Sequence, residues 1–382
     1  MKITESILWV GVHDHAIDLF EGQYAVPNGM SYNSYVILDE KCAVMDTVDA
    51  RFAGEWLEKV SAALGDREPD YLIIQHVEPD HSGSILRFLE KYPKVTLAAT
   101  PKAFPMLKNF YGVDPGARVE LKADTVLALG SRSLHFVPAP MVHWPEVALT
   151  YDDRDRVLFS ADAFGKFGAW DTEEPWTDEA RRYYIGIVGK FGAPVQALLK
   201  KAAGLDIAAV CPLHGPVLKE DLGQYLALYD AWSAYRPEEK GILIAYTSVY
   251  GHTREAAELL KDLLAAKGQK VRLMDLARSD LAEAVAEAFR YDRLILASTS
   301  YNGGVFPRMR QFAEELAEHG FQNRKVGIAE NGSWAPCAAK TIREKLEGCK
   351  NLTWAEPQVT IRSALDADSR EALNALAAAL AE

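Results

Sequence analysis

The sequence is short of cysteine, and no two of its cysteines lie close together. Cys42, Cys211, Cys337 and Cys349 are scattered over 382 residues with no CxxC pair. That excludes a disulfide framework, a zinc ribbon and a rubredoxin-type iron site. Reduced thiols suit a cytoplasmic protein. Long apolar runs are also missing, and nothing approaches the ~18 apolar residues of a membrane span. The opening MKITESILWVGVHD meets acidic and polar residues too early for a signal peptide. Internal repeats and low-complexity tracts are absent. Positive charge is in deficit: 42 Lys+Arg against 54 Asp+Glu leave a net charge of -12. Such a field disfavours nucleic acid or anionic lipid as partner and leaves a small soluble protein or a neutral molecule. What is present is ordinary for a globular chain, with 49% hydrophobic and 25% charged residues. The length predicts two to three domains of roughly 150 residues, with cores that need no staple.

The first 235 or so residues mix short strands and helices. Residues 31–48 read as a hairpin turning at Asp39-Glu40-Lys41. The apolar run 71–74 ends abruptly in a loop rich in histidine and acid. Three later runs follow the same plan: 134–139 precedes His143, 157–160 precedes Asp162, and 208–210 precedes His214. Strand ends that converge on one rim are where such folds place chemistry. A polar break with Pro and Gly spans 234–241 and predicts domains at 1–237 and 238–382. Beyond it, strands at 242–246, 271–276, 294–297, 326–329 and 352–361 alternate with helices. The helix over 254–267 places Ala257, Leu260, Leu263 and Leu264 on one face, and another over 369–380 closes the chain. This alternation predicts a doubly wound parallel sheet.

The loop after residue 74 reads His76-Val77-Glu78-Pro79-Asp80-His81-Ser82-Gly83. A lone histidine there would be read as a hydrogen-bonded loop residue, and Asp80 as a helix cap. Four metal-capable side chains within six positions are hard to explain as solvation. Glu78 adds a carboxylate where a second imidazole would suit zinc, which moves the chemistry toward iron or manganese. Other histidines read differently. His13 and His15, two apart, could face one way on a strand. His135 sits in an apolar run and reads as packed, and His319 fits a helix C-terminus. Trp144 could wall a metal pocket or pack in the core.

The loop resembles the HxHxDH signature of the metallo-β-lactamase superfamily, with Glu78 in place of the second histidine. The pattern HxExDH, followed by His143 in PMVHWPE, Asp162 in LFSADAFG and His214 in CPLHGP, is similar to that of the flavodiiron proteins, or A-type flavoproteins. The resemblance covers nearly the whole chain. It implies an αββα sandwich carrying two non-haem irons. His76, Glu78 and His143 would hold one iron. Asp80, His81 and His214 would hold the other, with Asp162 bridging. Positions left open on the metals make such a site catalytic.

The second domain's first strand runs into Thr247-Ser248-Val249-Tyr250-Gly251-His252-Thr253 and a helix. Hydroxyls, backbone N–H groups and a helix N-terminus can cradle a phosphate. The segment looks like the flavodoxin phosphate loop. The loops Ser298-Thr299-Ser300-Tyr301-Asn302-Gly303-Gly304 and Asn331-Gly332-Ser333-Trp334 occupy the places that flank the flavin ring of FMN in that fold, with Trp334 a candidate for stacking. The family's third loop more often reads GSYGW, and here it is ENGSW. His252 departs from a commoner Ser or Asn, but its backbone N–H still serves.

Together the resemblance implies a terminal reductase, in which FMN feeds a diiron centre that reduces O2 to water, NO to N2O, or both. It further implies rubredoxin or a similar small carrier as donor and a head-to-tail homodimer, or a dimer of such dimers. The role would be scavenging O2 or NO in the cytoplasm. Tyr24 and Tyr184 are candidate proton donors. Rival readings are a dinuclear-metal hydrolase fused to a flavodoxin-like carrier, against which Glu78 and the flavin loops both count, and a protein whose flavin only shuttles electrons.

Overall fold

The computed structural model describes residues 1–382, which divide into two compact units, Met1–Asp230 and Ala231–Glu382. The division falls a few residues before 237/238. Local bonding explains the difference. The Tyr235 carbonyl accepts from the Arg324 guanidinium, the Trp232 indole N–H donates to Glu238, and the Glu238 N–H donates to the Arg290 carbonyl. The polar break is thus stitched to the second unit.

In the first unit, two sheets stack face to face. One has six strands and contains Tyr35–Ile37, Ala43–Met45, Tyr71–Ile74 and Thr96–Ala99. The other has five and contains Ser133–Pro138, Ala148–Asp152, Val157–Phe159 and Ala209–Cys211. Alternation along each strand aims every second side chain inward. Tyr35, Ile37, Ala43, Met45, Ile73 and Ala98 therefore meet Leu134, Phe136, Val157, Phe159 and Cys211 in one apolar core. Helices such as Ala53–Leu64 and Gly192–Ala202 complete the αββα arrangement. The hairpin expected over 31–48 is formed by Tyr35–Ile37 and Ala43–Met45, while Met30–Tyr32 pairs with Val12–Asp14 instead. His135 is not packed: on Ser133–Pro138 the inward positions go to Leu134 and Phe136, so His135 faces outward beside Asp153.

The second unit is an open sheet. Its parallel strands run in the order Val271–Asp275, Glu239–Tyr246, Tyr291–Tyr301, Lys325–Asn331, Thr353–Trp354, the flavodoxin-like order. The helix His252–Ala266 buries Ala256, Ala257, Leu260 and Leu264 against this sheet. Ala367–Ala381 begins in a capping box, the Asp366 carboxylate accepting from the Ser369 N–H and the Ser369 hydroxyl from the Asp366 N–H. Two expectations change. The strand expected over 352–361 is two short strands, Thr353–Trp354 and Val359–Ile361, because Glu356-Pro357 interrupts it. Ser298 to Tyr301 extend a strand that folds back on Gly304–Val305, so only its tip is a loop.

The two sheets are tied where the metal loops emerge. Buried Asn33 donates to the Pro212 carbonyl at 2.9 Å and the Gly215 carbonyl at 2.8 Å, and accepts from the Trp9 indole at 2.7 Å. Tyr35 also donates to the Pro212 carbonyl. Asn33→Ala leaves the Gly215 carbonyl and the Trp9 N–H without these partners. It should destabilise the first unit by about 2–3 kcal/mol, read as a lower urea midpoint for that unit's transition.

Candidate functional site

Four chain segments deliver the seven metal-capable side chains. His76 and Glu78 follow strand Tyr71–Ile74, and Asp80 and His81 lie on the one-turn helix Pro79–Ser82, whose first position is proline. Gly83 follows that turn at a place where a Cβ would stand 2.5 Å from the Pro79 carbonyl. His143, Asp162 and His214 follow the ends of Ser133–Pro138, Val157–Phe159 and Ala209–Cys211. The structure brings all seven together as two groups: His76, Glu78, His143 and Asp162, and Asp80, His81 and His214.

Asp162 stands between the groups. Its Oδ2 lies 3.3 Å from His76 Nε2 and 3.2 Å from His143 Nε2, and its Oδ1 lies 3.3 Å from His81 Nε2 and 3.8 Å from His214 Nε2. Glu78 Oε2 is 3.0 Å from His76 and 3.1 Å from His143. Asp80 Oδ2 is 3.2 Å from His81 and 3.3 Å from His214. Ligand atoms held ~2.1 Å from one metal stand roughly 3.0–3.4 Å from each other, so the spacing fits a cation within each group.

The chemistry of the donors fits as well. Both oxygens of Asp80 and of Asp162 are buried with no hydrogen-bond partner. The Nε2 atoms of His81 and His214 face each other at 3.0 Å. His214 gives its Nδ1–H to the Ser31 carbonyl at 2.8 Å, which leaves Nε2 as a bare acceptor. Carboxylates and imidazole lone pairs pointed into a common space call for positive charge. Burial pushes the Asp162 carboxyl up, but facing His76 and the neighbouring imidazoles outweighs it and holds Asp162 well below the carboxylate range. Burial pulls His143 down, yet Asp162 and Glu78 raise it to about 9. His76 and His214 are raised against burial by the same kind of neighbour.

Several supporting residues escaped the sequence reading. Glu146 accepts from His76 Nδ1–H at 2.8 Å and from the Val77 N–H at 2.9 Å. Asp46, at φ 53°, accepts from the Gln75 N–H and side chain and from the His76 N–H, and so fixes the start of the metal loop. An acid three positions after a candidate ligand, as in HWPE, was the available signal for Glu146. Trp144 does form a wall, edge-on to His76 at 5.2 Å and stacked with Phe110. His13 and His15 both turn toward Asp171, apart from the metal groups. Tyr183, rather than Tyr184, is the tyrosine whose ring lies 5.5 Å from His214. The Tyr24 hydroxyl is committed to the Gly186 carbonyl.

In the second unit, the flavin candidates cluster at the carboxyl ends of three adjacent strands. Thr247 Oγ1 bonds Ser298 Oγ at 2.8 Å, and Thr253 Oγ1 bonds Thr299 Oγ1 at 3.1 Å. Ser248 accepts from the Gly251 N–H, and Gly251, at φ 96°, turns the chain into the helix His252–Ala266. A helix N-terminus ringed by hydroxyls suits a phosphate. Ser300 Oγ accepts from the N–H groups of Cys337 and Ala338, tying the second loop to the third. Asn331 bonds the Ser363 backbone through both side-chain groups. The rings of Tyr250 (90% exposed) and Trp334 (89% exposed) stand uncovered, as stacking on a flavin requires.

Metal and proton compete for the same imidazole nitrogens. With no metal bound, His143, raised to about 9, carries a proton at neutral pH. Divalent metal binding should therefore release protons, and affinity should climb as pH rises toward 9. Calorimetry in buffers of different ionisation heat reads the release directly. Metal binding without proton release would contradict this account.

Residues 30–215 match the family model described as ODP family beta lactamase, and residues 243–356 match the flavodoxin domain. A nitric oxide reductase from Moorella thermoacetica is 31% identical over 95% of this chain and 93% of its own length. An anaerobic nitric oxide reductase flavorubredoxin from Aeromonas hydrophila is 28% identical over 91% of this chain and 72% of its own length. The flavodiiron protein from Giardia intestinalis superposes with a TM-score of 0.93 at 27% identity, over 100% of this chain and 95% of that one. With the seven-donor site and the hydroxyl-ringed flavin loops, these likenesses place the chain in the flavodiiron proteins, oxidoreductases that combine a non-haem diiron centre with FMN.

Proposed function

We propose that the protein reduces nitric oxide to nitrous oxide, dioxygen to water, or both. The observation that carries the reading is Asp162, whose two oxygens face opposite groups of donors. His76, Glu78 and His143 would hold one iron and Asp80, His81 and His214 the other, with Asp162 shared between them. Two irons there would supply the chemistry that binds and reduces a diatomic molecule, and FMN would supply the electrons, singly or in pairs. The chain's own residues keep the ligands in place. Asp46 and Glu146 fix the His76 loop, the Ser31 carbonyl sets the His214 tautomer, and Trp144 packs edge-on to His76. Thr247 to Thr253 would hold the phosphate of FMN, and the loops 298–304 and 331–334 would hold its ring. The names of the Moorella and Aeromonas relatives support nitric oxide as a substrate.

The electron donor is rubredoxin or a similar small carrier, a choice supported by the flavorubredoxin name of the Aeromonas relative and by a net charge that leaves small soluble proteins open as partners. The protein works in the cytoplasm as a head-to-tail homodimer, one chain's FMN serving the other chain's irons. No helix is long and apolar enough to cross a membrane, and all four cysteines are free.

Protein made in iron-replete cells should carry about two irons per chain. Stoichiometric zinc, with turnover indifferent to iron, would sink the metal assignment. Asp162→Ala should abolish gas reduction and leave the flavin spectrum intact. The cross-chain route is tested by pairing an Asp162→Ala chain with one disabled in the 247–253 loop. Each homodimer should be dead and the purified heterodimer active. An inactive heterodimer, or a fully active monomer, rejects that route.

A further inference from the structure

The two donor groups differ in what stands behind their imidazoles. In the first group, His76 Nδ1–H is held by the Glu146 carboxylate at 2.8 Å. Glu146 is 1% exposed. The same oxygen takes the Val77 N–H, and the second oxygen is buried with no hydrogen-bond partner. Thr100 Oγ1 donates to the Glu146 carbonyl at 2.7 Å, so the residue is pinned by its backbone as well. In the second group, His214 Nδ1–H meets only the neutral Ser31 carbonyl, and His81 Nδ1 is buried without a partner.

A carboxylate behind an imidazole makes the far nitrogen a stronger ligand and fixes the ring. It also places another negative charge near the first group, one imidazole away from the cation. Asp46 does not do the same, because its oxygens go to N–H groups of Gln75 and to the His76 backbone rather than to a ring. We infer that Glu146 is a positioning residue that gives the group His76, Glu78, His143 and Asp162 the higher metal affinity, so that the two halves of the site load in sequence. This rests on the assignment of those residues as metal ligands.

The test uses metal-stripped full-length protein titrated with Co(II) against a competing chelator. Wild type should take up two ions in two resolved steps. Glu146→Gln keeps an acceptor for His76 Nδ1–H but removes the charge. It should weaken the tighter step by about 10–100-fold and leave the weaker step unchanged, so the two steps merge. Asp162→Asn is the control for the site itself and should weaken both steps. Unchanged binding in Asp162→Asn would overturn the ligand assignment. Weakened binding in Asp162→Asn with wild-type binding in Glu146→Gln would overturn the role of Glu146 alone. Should Glu146→Gln fail to fold, wild type still decides, since two ions bound with equal affinity exclude an asymmetric pair.

Discussion

Three carboxylates held together in a space mostly closed to water are the constraint on which the first unit depends. Glu78, Asp80 and Asp162 cannot disperse their charge into solvent, and their nearest neighbours are imidazoles. A buried anion without a counter-charge is expensive. Either the imidazoles take protons or the space takes metal. The backbone is arranged for the second outcome. The Ser31 carbonyl and the Glu146 carboxylate claim the outer nitrogens of His214 and His76 and leave the inner nitrogens free to ligate.

Holding such a cluster requires a rigid frame, and the sandwich provides it. The ligands leave the ends of strands in two different sheets. The shared apolar core between those sheets fixes one set against the other. Asn33 adds a polar tie at the rim, bonding carbonyls on either side of His214. Interiors pack densely and deform little, so ligand spacing follows from the packing of residues such as Phe136 and Phe159.

The second unit solves a milder problem. FMN binding asks for hydroxyls, N–H groups and exposed rings at strand ends, and the open sheet order places them at the switch between strands. The hydroxyl pairs Thr247–Ser298 and Thr253–Thr299 draw the first two loops together. Ser300 and Asn331 then tie the third loop to its neighbours. Trp334 and Tyr250 stay uncovered.

Much of this was legible in the sequence because it is local. HxExDH on one loop, a hydroxyl-rich turn before a helix, and strand-helix alternation are patterns of adjacent residues. They named the ligand candidates and both fold types. Errors came where neighbours distant in sequence decide. His135 sits in an apolar run, yet strand alternation turned it to solvent beside Asp153. The supporting shell was the least legible part. Asp46, Asn33 and Glu146 act on partners many positions away, Glu146 on a histidine 70 residues earlier. Which atoms can bind metal and phosphate follows from side-chain chemistry and can be read residue by residue. Which oxygen of Asp162 meets which imidazole, and which imidazole has a carboxylate behind it, are distances set by the packing of two sheets, and no run of adjacent residues encodes them.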